Sequence, residues 1–255
     1  MKKIIKYIIN HIPRPVIQRV AHLATRLTAI FYIGNKVECP ICGHHYRKFL
    51  PYGYTVVREN ALCPHCLSLE RHRLLWLFLD NYMQLTEQKE TTLLHMAPER
   101  CLMDRLEKLF GESYLTADIE SPLAKLKMDI RNIPLAENSM DIIFCNHILE
   151  HIDDDQLAMR ELYRVMKNGG WGVLLSPVNY SLAITREAPA NSTAEQRYEL
   201  FGQADHMREY GLDYADRLRS VGFEVEEIRY AEYLTPQQRK RYSIINEIVY
   251  LVRKR

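Results

Sequence analysis

Four cysteines fall in two C-P-x-C pairs, Cys39-Pro-Ile-Cys42 and Cys63-Pro-His-Cys66, with twenty residues between them. Each pair predicts a tight knuckle that presents two thiolates. Two knuckles close a tetrahedral sulfur shell suited to a structural Zn2+, with rubredoxin-like iron as the alternative ion. Four sulfurs leave no open position, so the metal would build structure and not do chemistry. His44, His45 and His65 stand beside the knuckles. A second set of polar residues, Asp118, Asp129, Asn146, His147, Glu150 and Ser176, follows short apolar runs further along the chain.

The elements that must position this second set are readable between Met128 and Pro177. Ser139–Cys145 reads as a strand, its Ile142-Ile143-Phe144 run suiting burial on both faces. Asp153-Asp154-Asp155 offers N-caps to a helix with Leu157, Glu161, Leu162, Val165 and Met166 on helical spacing. Lys167 would close that helix and Asn168-Gly169-Gly170 would stop it, before a strand at Trp171–Ser176. This is a right-handed βαβ crossover of a parallel sheet. In such sheets ligands bind outside the carboxyl ends of the strands, which places Asp129, Asn146, His147, Glu150 and Ser176 on one rim. Thr92–Met96, Ser113–Ala117 and Leu126–Met128 read as further strands and Cys101–Phe110 as a helix. Asp213–Val221 reads as the last helix. Phe223–Tyr230 and Glu247–Arg253 read as a closing antiparallel pair.

Asp129, Ile133-Pro134, Glu137-Asn138-Ser139, Asp141, His147-Ile148-Leu149-Glu150-His151 and Met166-Lys167-Asn168-Gly169-Gly170 together resemble the middle of a class I S-adenosylmethionine-dependent methyltransferase of the methyltransferase-11 type. The likeness covers roughly Thr91 to Gly222. It implies an α/β, doubly wound, seven-stranded Rossmann-like sheet, here preceded by a small zinc-ribbon-like module and a basic helical arm. It also implies S-adenosylmethionine (SAM) as cofactor, with Asp118 on the ribose hydroxyls, Asp129 on the adenine amino group, Ile119 and Ile130 flanking the ring, and Asn146 near the methyl. The glycine-rich turn of the family is missing: His95-Met96-Ala97-Pro98-Glu99-Arg100 stands there. SAM has no phosphate to cradle, so Ala97 would allow the close approach and Glu99 would accept from the ammonium. His147 and His151 are the candidate bases, since imidazole titrates near neutrality, though histidines here also serve as structural hydrogen-bonders. His206, Arg208 and Tyr210 alternate before the last helix. They resemble a substrate-side run, with an exposed approach to the helix as the plain alternative. The connection from Ser176 to Asp205 is long enough to be a lid.

Three blocks are expected: an arm at 1–36, the knuckle module and its helix at 37–85, and a catalytic domain at 86–255. Between the knuckles, Tyr46–Leu50 and Tyr54–Arg58 suggest a hairpin turning at Pro51-Tyr52-Gly53. A helix at Glu70–Met83 follows, with Glu70-Arg71-His72-Arg73 as either a solvated first turn or an anion-facing cluster. In the arm, Val16, Val20, Leu23, Leu27, Ile30 and Phe31 share one helical face and Arg19, His22 and Arg26 the other. Such a helix either packs on the protein's own core or, through residues 1–33, attaches to an anionic membrane surface or an acidic partner. Residues 1–37 carry seven basic side chains and no acid, so the remainder carries −5 of the overall +2. That balance argues against a nucleic-acid partner for the catalytic domain, although a zinc module also precedes a class I domain in a ribosomal-RNA methyltransferase family. A small-molecule or glycan-type acceptor fits better, and a non-enzymatic adaptor on this fold is the third reading. No stretch is apolar enough to span a bilayer, and the cysteines fall in metal spacing. Both point to a cytoplasmic protein, with the arm at the inner membrane surface if it meets one.

Overall fold

The structure is a computed structural model that describes residue 25, residues 27–53 and residues 57–255. The arm positions Val16, Arg19, Val20, His22, Leu23 and Arg26 lie outside the described residues. The chain groups into two compact units. The first runs to Leu85 and takes in Arg100–Arg105 and Tyr230–Glu247. The second comprises Thr86–Glu99, Leu106–Arg229 and Ile248–Arg255.

In the first unit, β1 (Ile33–Glu38) pairs antiparallel with β2 (His45–Tyr46), and β3 (Leu50–Tyr52) with β4 (Arg58–Leu62). This replaces the expected hairpin of Tyr46–Leu50 with residues 54–58, of which 54–56 lie outside the described residues. The first knuckle reverses the chain at Cys39–Gly43, where Cys39 N donates to His44 O at 3.0 Å, so β2 returns onto β1. The helix α1 (Glu70–Leu77) widens into a π-turn at Phe78–Tyr82, in place of a single helix to Met83.

Arg73 in α1 is fully buried, and Glu70 and His72 are buried with it, which overturns the reading of a solvated first turn. Its guanidinium donates to the carbonyls of Tyr242 (2.7 Å), Ala61 (2.9 Å), Ser68 (2.9 Å) and Ser243 (2.9 Å) and stacks over Phe49 at 4.3 Å. A planar fork with five donors can tie three backbone segments through four carbonyls at once, which a hydrophobic side chain cannot.

The second unit is built on one seven-stranded sheet. Its strands are β5 (Leu93–Met96), β6 (Tyr114–Asp118), β7 (Leu126–Lys127), β8 (Met140–Asn146), β9 (Met166–Leu175), β12 (Glu224–Ile228) and β13 (Val249–Arg253). They run in the order β12-β13-β9-β8-β5-β6-β7. Pairing is parallel from β9 through β8 and β5 to β6 and β7, and β13 is antiparallel to both its neighbours. The order reverses beside β5, the switch point at which a doubly wound sheet opens a crevice. Helices α2 (Arg100–Phe110), α3 (Asp155–Val165) and α5 (Tyr214–Ser220) accompany the strands. The long connection after β9 carries β10 (Arg186–Glu187), paired with β11 (Arg208–Glu209), and the short helix α4 (Ala194–Phe201). This is the Rossmann-like fold expected from the sequence.

The core is where the apolar runs predicted it. All four residues of β5 are buried, as are Ile142, Ile143, Phe144 and Cys145 of β8. In α3, Ala158, Met159, Leu162 and Val165 face inward, whereas Leu157 is exposed. Asp154 caps α3 as expected, accepting from Leu157 N at 2.8 Å.

The expected glycine stop after α3 is not a stop. The helix ends at Val165, and β9 runs from Met166 straight through Lys167, Asn168, Gly169 and Gly170. Gly169 does take the expected left-handed conformation, φ +80°, but inside the strand, and Gly170 and Gly172 are needed for contact. A Cβ on Gly172 would meet Ile143 O at 2.5 Å, and one on Gly170 would meet Lys167 O at 2.8 Å and Asp141 O at 2.9 Å. Lys167 therefore sits in the strand and reaches Asp141 at 2.7 Å. Asp141 also accepts from Thr92 N (2.9 Å) and Thr92 Oγ1 (2.7 Å), which ties β8 to the start of β5.

Candidate active site and cysteine centre

Register places the ends of the parallel strands level. Met96 stands opposite both Ala117 and Cys145, and Asn146 stands opposite Leu175. The residues that follow each end therefore form one rim. After β5 the chain turns at Ala97, which has φ +44° and donates its N–H to Ala117 O at 2.7 Å. This left-handed turn is where glycine is normally favoured. Alanine accepts it with the smallest possible side chain, so the backbone stays open to a close-lying ligand.

Glu99 begins α2 and is held on both oxygens. Its Oε2 meets His95 Nε2 at 2.5 Å, and its Oε1 accepts from Asn146 Nδ2 at 3.0 Å. The fully buried His95 reaches Tyr114 Oη at 2.8 Å through Nδ1. A continuous chain Tyr114–His95–Glu99–Asn146 thus lies under the rim. It leaves Asn146 Oδ1 buried with no hydrogen-bond partner. An unmatched buried acceptor is costly unless a ligand donor reaches it.

Asp118 ends β6. Its Oδ1 accepts from the N–H groups of Glu120 and Ser121, both at 2.7 Å, while Oδ2 has no partner among the described residues. The neighbouring Ile119 is an exposed apolar side chain, whereas Ile130 is buried. Asp129 is differently placed from the expectation. Arg131 takes both its oxygens in a fork, at 3.1 and 3.2 Å from Nε and 2.7 Å from Nη2. This pairing, with the Arg131 N–H, holds the Asp129 carboxyl below the usual range. An adenine amino group would have to share that carboxylate.

After β8, His147 has φ +55° and donates its N–H to Leu175 O at 2.7 Å. Its Nε2 is buried without a partner, and its Nδ1 faces Glu150 Oε1 at 3.6 Å. Glu150 is buried and accepts from Ser176 Oγ at 3.0 Å. Burial alone would raise its pKa, but the His147 and His151 imidazoles hold it below the ordinary value. His151 Nε2 lies 4.0 Å from Glu150 Oε1, and its Nδ1 meets Asp205 O at 3.2 Å. The His206 ring packs edge-on against His151 with centroids 4.8 Å apart. Burial, helped by His151, pushes the His206 pKa down.

The alternation of His206, Arg208 and Tyr210 does put them on one side, but that side faces inward. Arg208 is buried and donates to the carbonyls of Leu149 (2.9 Å), Ile152 and Asp153 (2.8 Å) and to Glu187 (2.9 Å). Tyr210 is fully buried and donates to Asp155 Oδ2 at 2.7 Å. The substrate-side reading of Arg208 and Tyr210 is therefore corrected: both brace the Leu149–His151 turn and the start of α3. Only His206 of the three joins the imidazoles near the rim. His95 and Tyr114 carry no sequence signal beyond their places in strands. Glu150 was visible in the His-x-x-Glu-His segment, but its pairing with His206, far along the chain, was not.

In the first unit the four sulfurs converge. Cys39 and Cys66 lie 3.6 Å apart and Cys42 and Cys63 3.7 Å apart, and all four fall within 4.8 Å of one another. A tetrahedral ion with arms of about 2.3 Å spaces its sulfurs about 3.8 Å apart, whereas a disulfide needs about 2.05 Å. The donor set therefore fits a metal. The two knuckles share a backbone plan: Gly43 N donates to Cys39 O (2.8 Å) and Leu67 N to Cys63 O (2.9 Å). Gly43 and Leu67 both adopt positive φ, +73° and +58°. Leucine in that conformation is strained, and the sulfur cluster is what repays the strain. Ser68 Oγ approaches Cys39 Sγ (3.3 Å) and Cys66 Sγ (3.2 Å).

Among known proteins, residues 102–174 match the family model for a methyltransferase domain. A Mycolicibacterium smegmatis protein described as a "probable S-adenosylmethionine-dependent methyltransferase" is 25% identical over 133 residues. That match takes in 49% of this chain and 47% of the relative, so the chain spans about half the length of that relative. Among solved structures, the 1,6-didemethyltoxoflavin-N1-methyltransferase of Burkholderia thailandensis aligns at 15% identity over 72% of this chain and 82% of its own, with a TM-score of 0.43. A SAM-dependent methyltransferase of Mesorhizobium loti aligns at 14% identity over 64% of this chain and 88% of its own, with a TM-score of 0.41. The family match and the curated relative support a SAM-dependent methyltransferase domain in the second unit.

Proposed function

We propose that the second unit binds SAM on the rim and transfers its methyl group to an oxygen or nitrogen of a small molecule or glycan-type precursor. The observation that carries this is the rim itself. It combines a left-handed turn at Ala97, an Asp118 carboxylate with one oxygen held and one free, and an unpartnered buried Asn146 Oδ1. Asp118 Oδ2 suits a ribose diol, Ile119 suits one face of the adenine, and Asn146 Oδ1 with Glu99 suits the methionine ammonium. Bound SAM supplies an electrophilic methyl on a sulfonium. The chain's own part is alignment, exclusion of water and removal of the acceptor's proton. His147 Nε2 is the group placed to take that proton, with its Nδ1 3.6 Å from Glu150 Oε1.

A crystal structure with S-adenosylhomocysteine tests the reading. The ribose is expected on Asp118 and the sulfur toward Asn146 and His147; density elsewhere would overturn the assignment. In the first unit, the sulfur cluster supports one structural Zn2+.

We propose further that the arm lies on an anionic membrane surface; the exposure of Leu27, Ile30 and Phe31, 63%, 65% and 74% at its described end, supports that reading. No helix among the described residues is long and apolar enough to cross a membrane, so contact there would be peripheral. Deleting residues 1–33 is expected to abolish salt-sensitive binding to anionic vesicles. Unchanged binding would refute the assignment.

A further inference from the structure

Beside the rim, three potential metal ligands converge from two distant stretches of chain. A Glu150 oxygen and one ring nitrogen each of His151 and His206 lie within 4.8 Å of one another. Two stand together after β8, and the third arrives 55 residues later, just before β11. We propose that Glu150, His151 and His206 bind a divalent transition-metal ion with coordination positions left open for oxygen ligands.

The hydrogen bonds around the cluster prepare it for an ion. His151 Nδ1 faces the carbonyl of Asp205 at 3.2 Å, and a carbonyl can only accept. Nδ1 therefore carries the proton, and in the neutral ring Nε2 carries the lone pair. Nε2 lies 4.0 Å from Glu150 Oε1, a spacing that a shared cation can bridge. A ring nitrogen donating to a carbonyl while the other binds metal is also the usual support of a histidine ligand. Glu150 is fixed from its other oxygen by Ser176 Oγ at 3.0 Å, leaving Oε1 to face the imidazoles. Arg208 grips the carbonyls of Leu149, Ile152 and Asp153, so the turn that carries Glu150 and His151 is clamped.

Two imidazoles and one carboxylate select a first-row ion such as Mn2+, Fe2+, Co2+ or Zn2+ over Mg2+ or Ca2+, which prefer oxygen shells. With three protein donors the shell is incomplete, unlike the four sulfurs of the first unit. Ligand arms of about 2.1 Å require donors about 3–4 Å apart, which small side-chain rotations from the present spacing supply. His147 Nδ1 stands 3.6 Å from the same Glu150 Oε1, beside the cluster. The open positions suit a hydroxyl-bearing acceptor, whose oxygen the ion would hold while His147 takes its proton. That last assignment rests on the methyl-transfer reading; the metal site does not.

The test is a Mn2+ titration of full-length protein already loaded with zinc, followed by the loss of the free-ion EPR signal, with no cofactor present. Mn2+ avoids thiolate sites, so the cysteine cluster does not compete. The expected result is one Mn2+ per chain. Affinity should fall tenfold or more in His206→Ala and in His151→Ala, and Cys63→Ser should lower zinc content without touching the part of the Mn2+ isotherm that belongs to folded second unit. His151 is a third exposed, so its variant is the one least able to disturb folding, which circular dichroism checks. Enhanced water-proton relaxation by the bound Mn2+ would register the open positions. If wild type binds no Mn2+ or Co2+ at millimolar concentration, or if both histidine variants bind as wild type does, the metal site is wrong. Because S-adenosylhomocysteine binding is measured separately, failure here leaves the cofactor site standing, and the converse holds.

Discussion

Two donor clusters among the described residues, the four cysteines and the Glu150–His151–His206 group, differ in how they are closed. In the first unit, four sulfurs from two knuckles surround one point, with Ser68 Oγ the polar neighbour of two of them. In the second, a buried carboxylate meets imidazoles from the His147–His151 segment and from His206, and His147 Nε2 has no partner. A complete shell of four thiolates has no vacancy for a reactant, so its energy goes into folding. On the reading proposed above, an incomplete set of nitrogen and oxygen donors on the carboxyl rim of a parallel sheet would take a ligand instead. Donor number and position, more than donor identity, separate a structural centre from a chemical one.

The sharpest way to break this contrast is to open the closed shell. Cys63→Ser should release the metal and unfold the small antiparallel pairs β1–β2 and β3–β4, since so few strand residues cannot hold themselves together. Elemental analysis of freshly purified wild type should show one zinc per chain, and none at all would contradict the assignment.

The next effect belongs to the second unit's clamp. Arg208→Met should cost about 3–5 kcal/mol, the range for breaking a buried charged network. It strands carbonyls at Leu149, Ile152 and Asp153. Denaturant midpoints read the loss. A change of under about 1 kcal/mol would mean that Arg208 is not a brace.

Asp141→Asn should be milder, about 1–2 kcal/mol, removing the charge-assisted bonds to Lys167 and Thr92. Burial opposes the charge of Asp141, but Lys167 and Thr92 outweigh it and hold its pKa below the ordinary value. A depressed carboxyl stabilises fully above its unfolded pKa of about 3.9 and loses that contribution as pH falls through the lower, folded value. The gap between wild type and Asp141→Asn should therefore be widest near neutrality and close in acid. A gap independent of pH would show that Asp141 acts by shape alone.

The same contrast explains what the sequence made legible. The knuckles are local: two cysteines three apart need only a tight turn, and twenty intervening residues bring the second pair round. The sheet was legible because Leu93-Leu94 and Ile142-Ile143-Phe144 are runs that only a strand covered on both faces can bury. Legibility failed where one residue type serves two ends. Gly169-Gly170 looked like a helix stop, but Gly170 is needed for its close approach to Asp141. Arg73 and Arg208 looked like surface or substrate cations, but long-range carbonyls, invisible in sequence, draw both inside. Asp129 looked free for a ligand until Arg131, two residues on, folded back over it. Ala97 hid a left-handed turn that glycine would have advertised.

The central claim is that the rim of the second unit is a SAM site, and calorimetry of S-adenosylhomocysteine against wild type and Asp118→Ala tests it most directly. A diol bonded to a charged carboxylate is worth about 1.5–3 kcal/mol, so the variant should bind roughly ten- to a hundredfold more weakly. Its zinc content should not change, and its unfolding midpoint should fall only slightly, through loss of the two backbone bonds from Glu120 and Ser121 at the strand end. Wild-type affinity in Asp118→Ala would contradict the ribose assignment, and a wild type that bound neither SAM nor S-adenosylhomocysteine at millimolar concentration would contradict the claim itself.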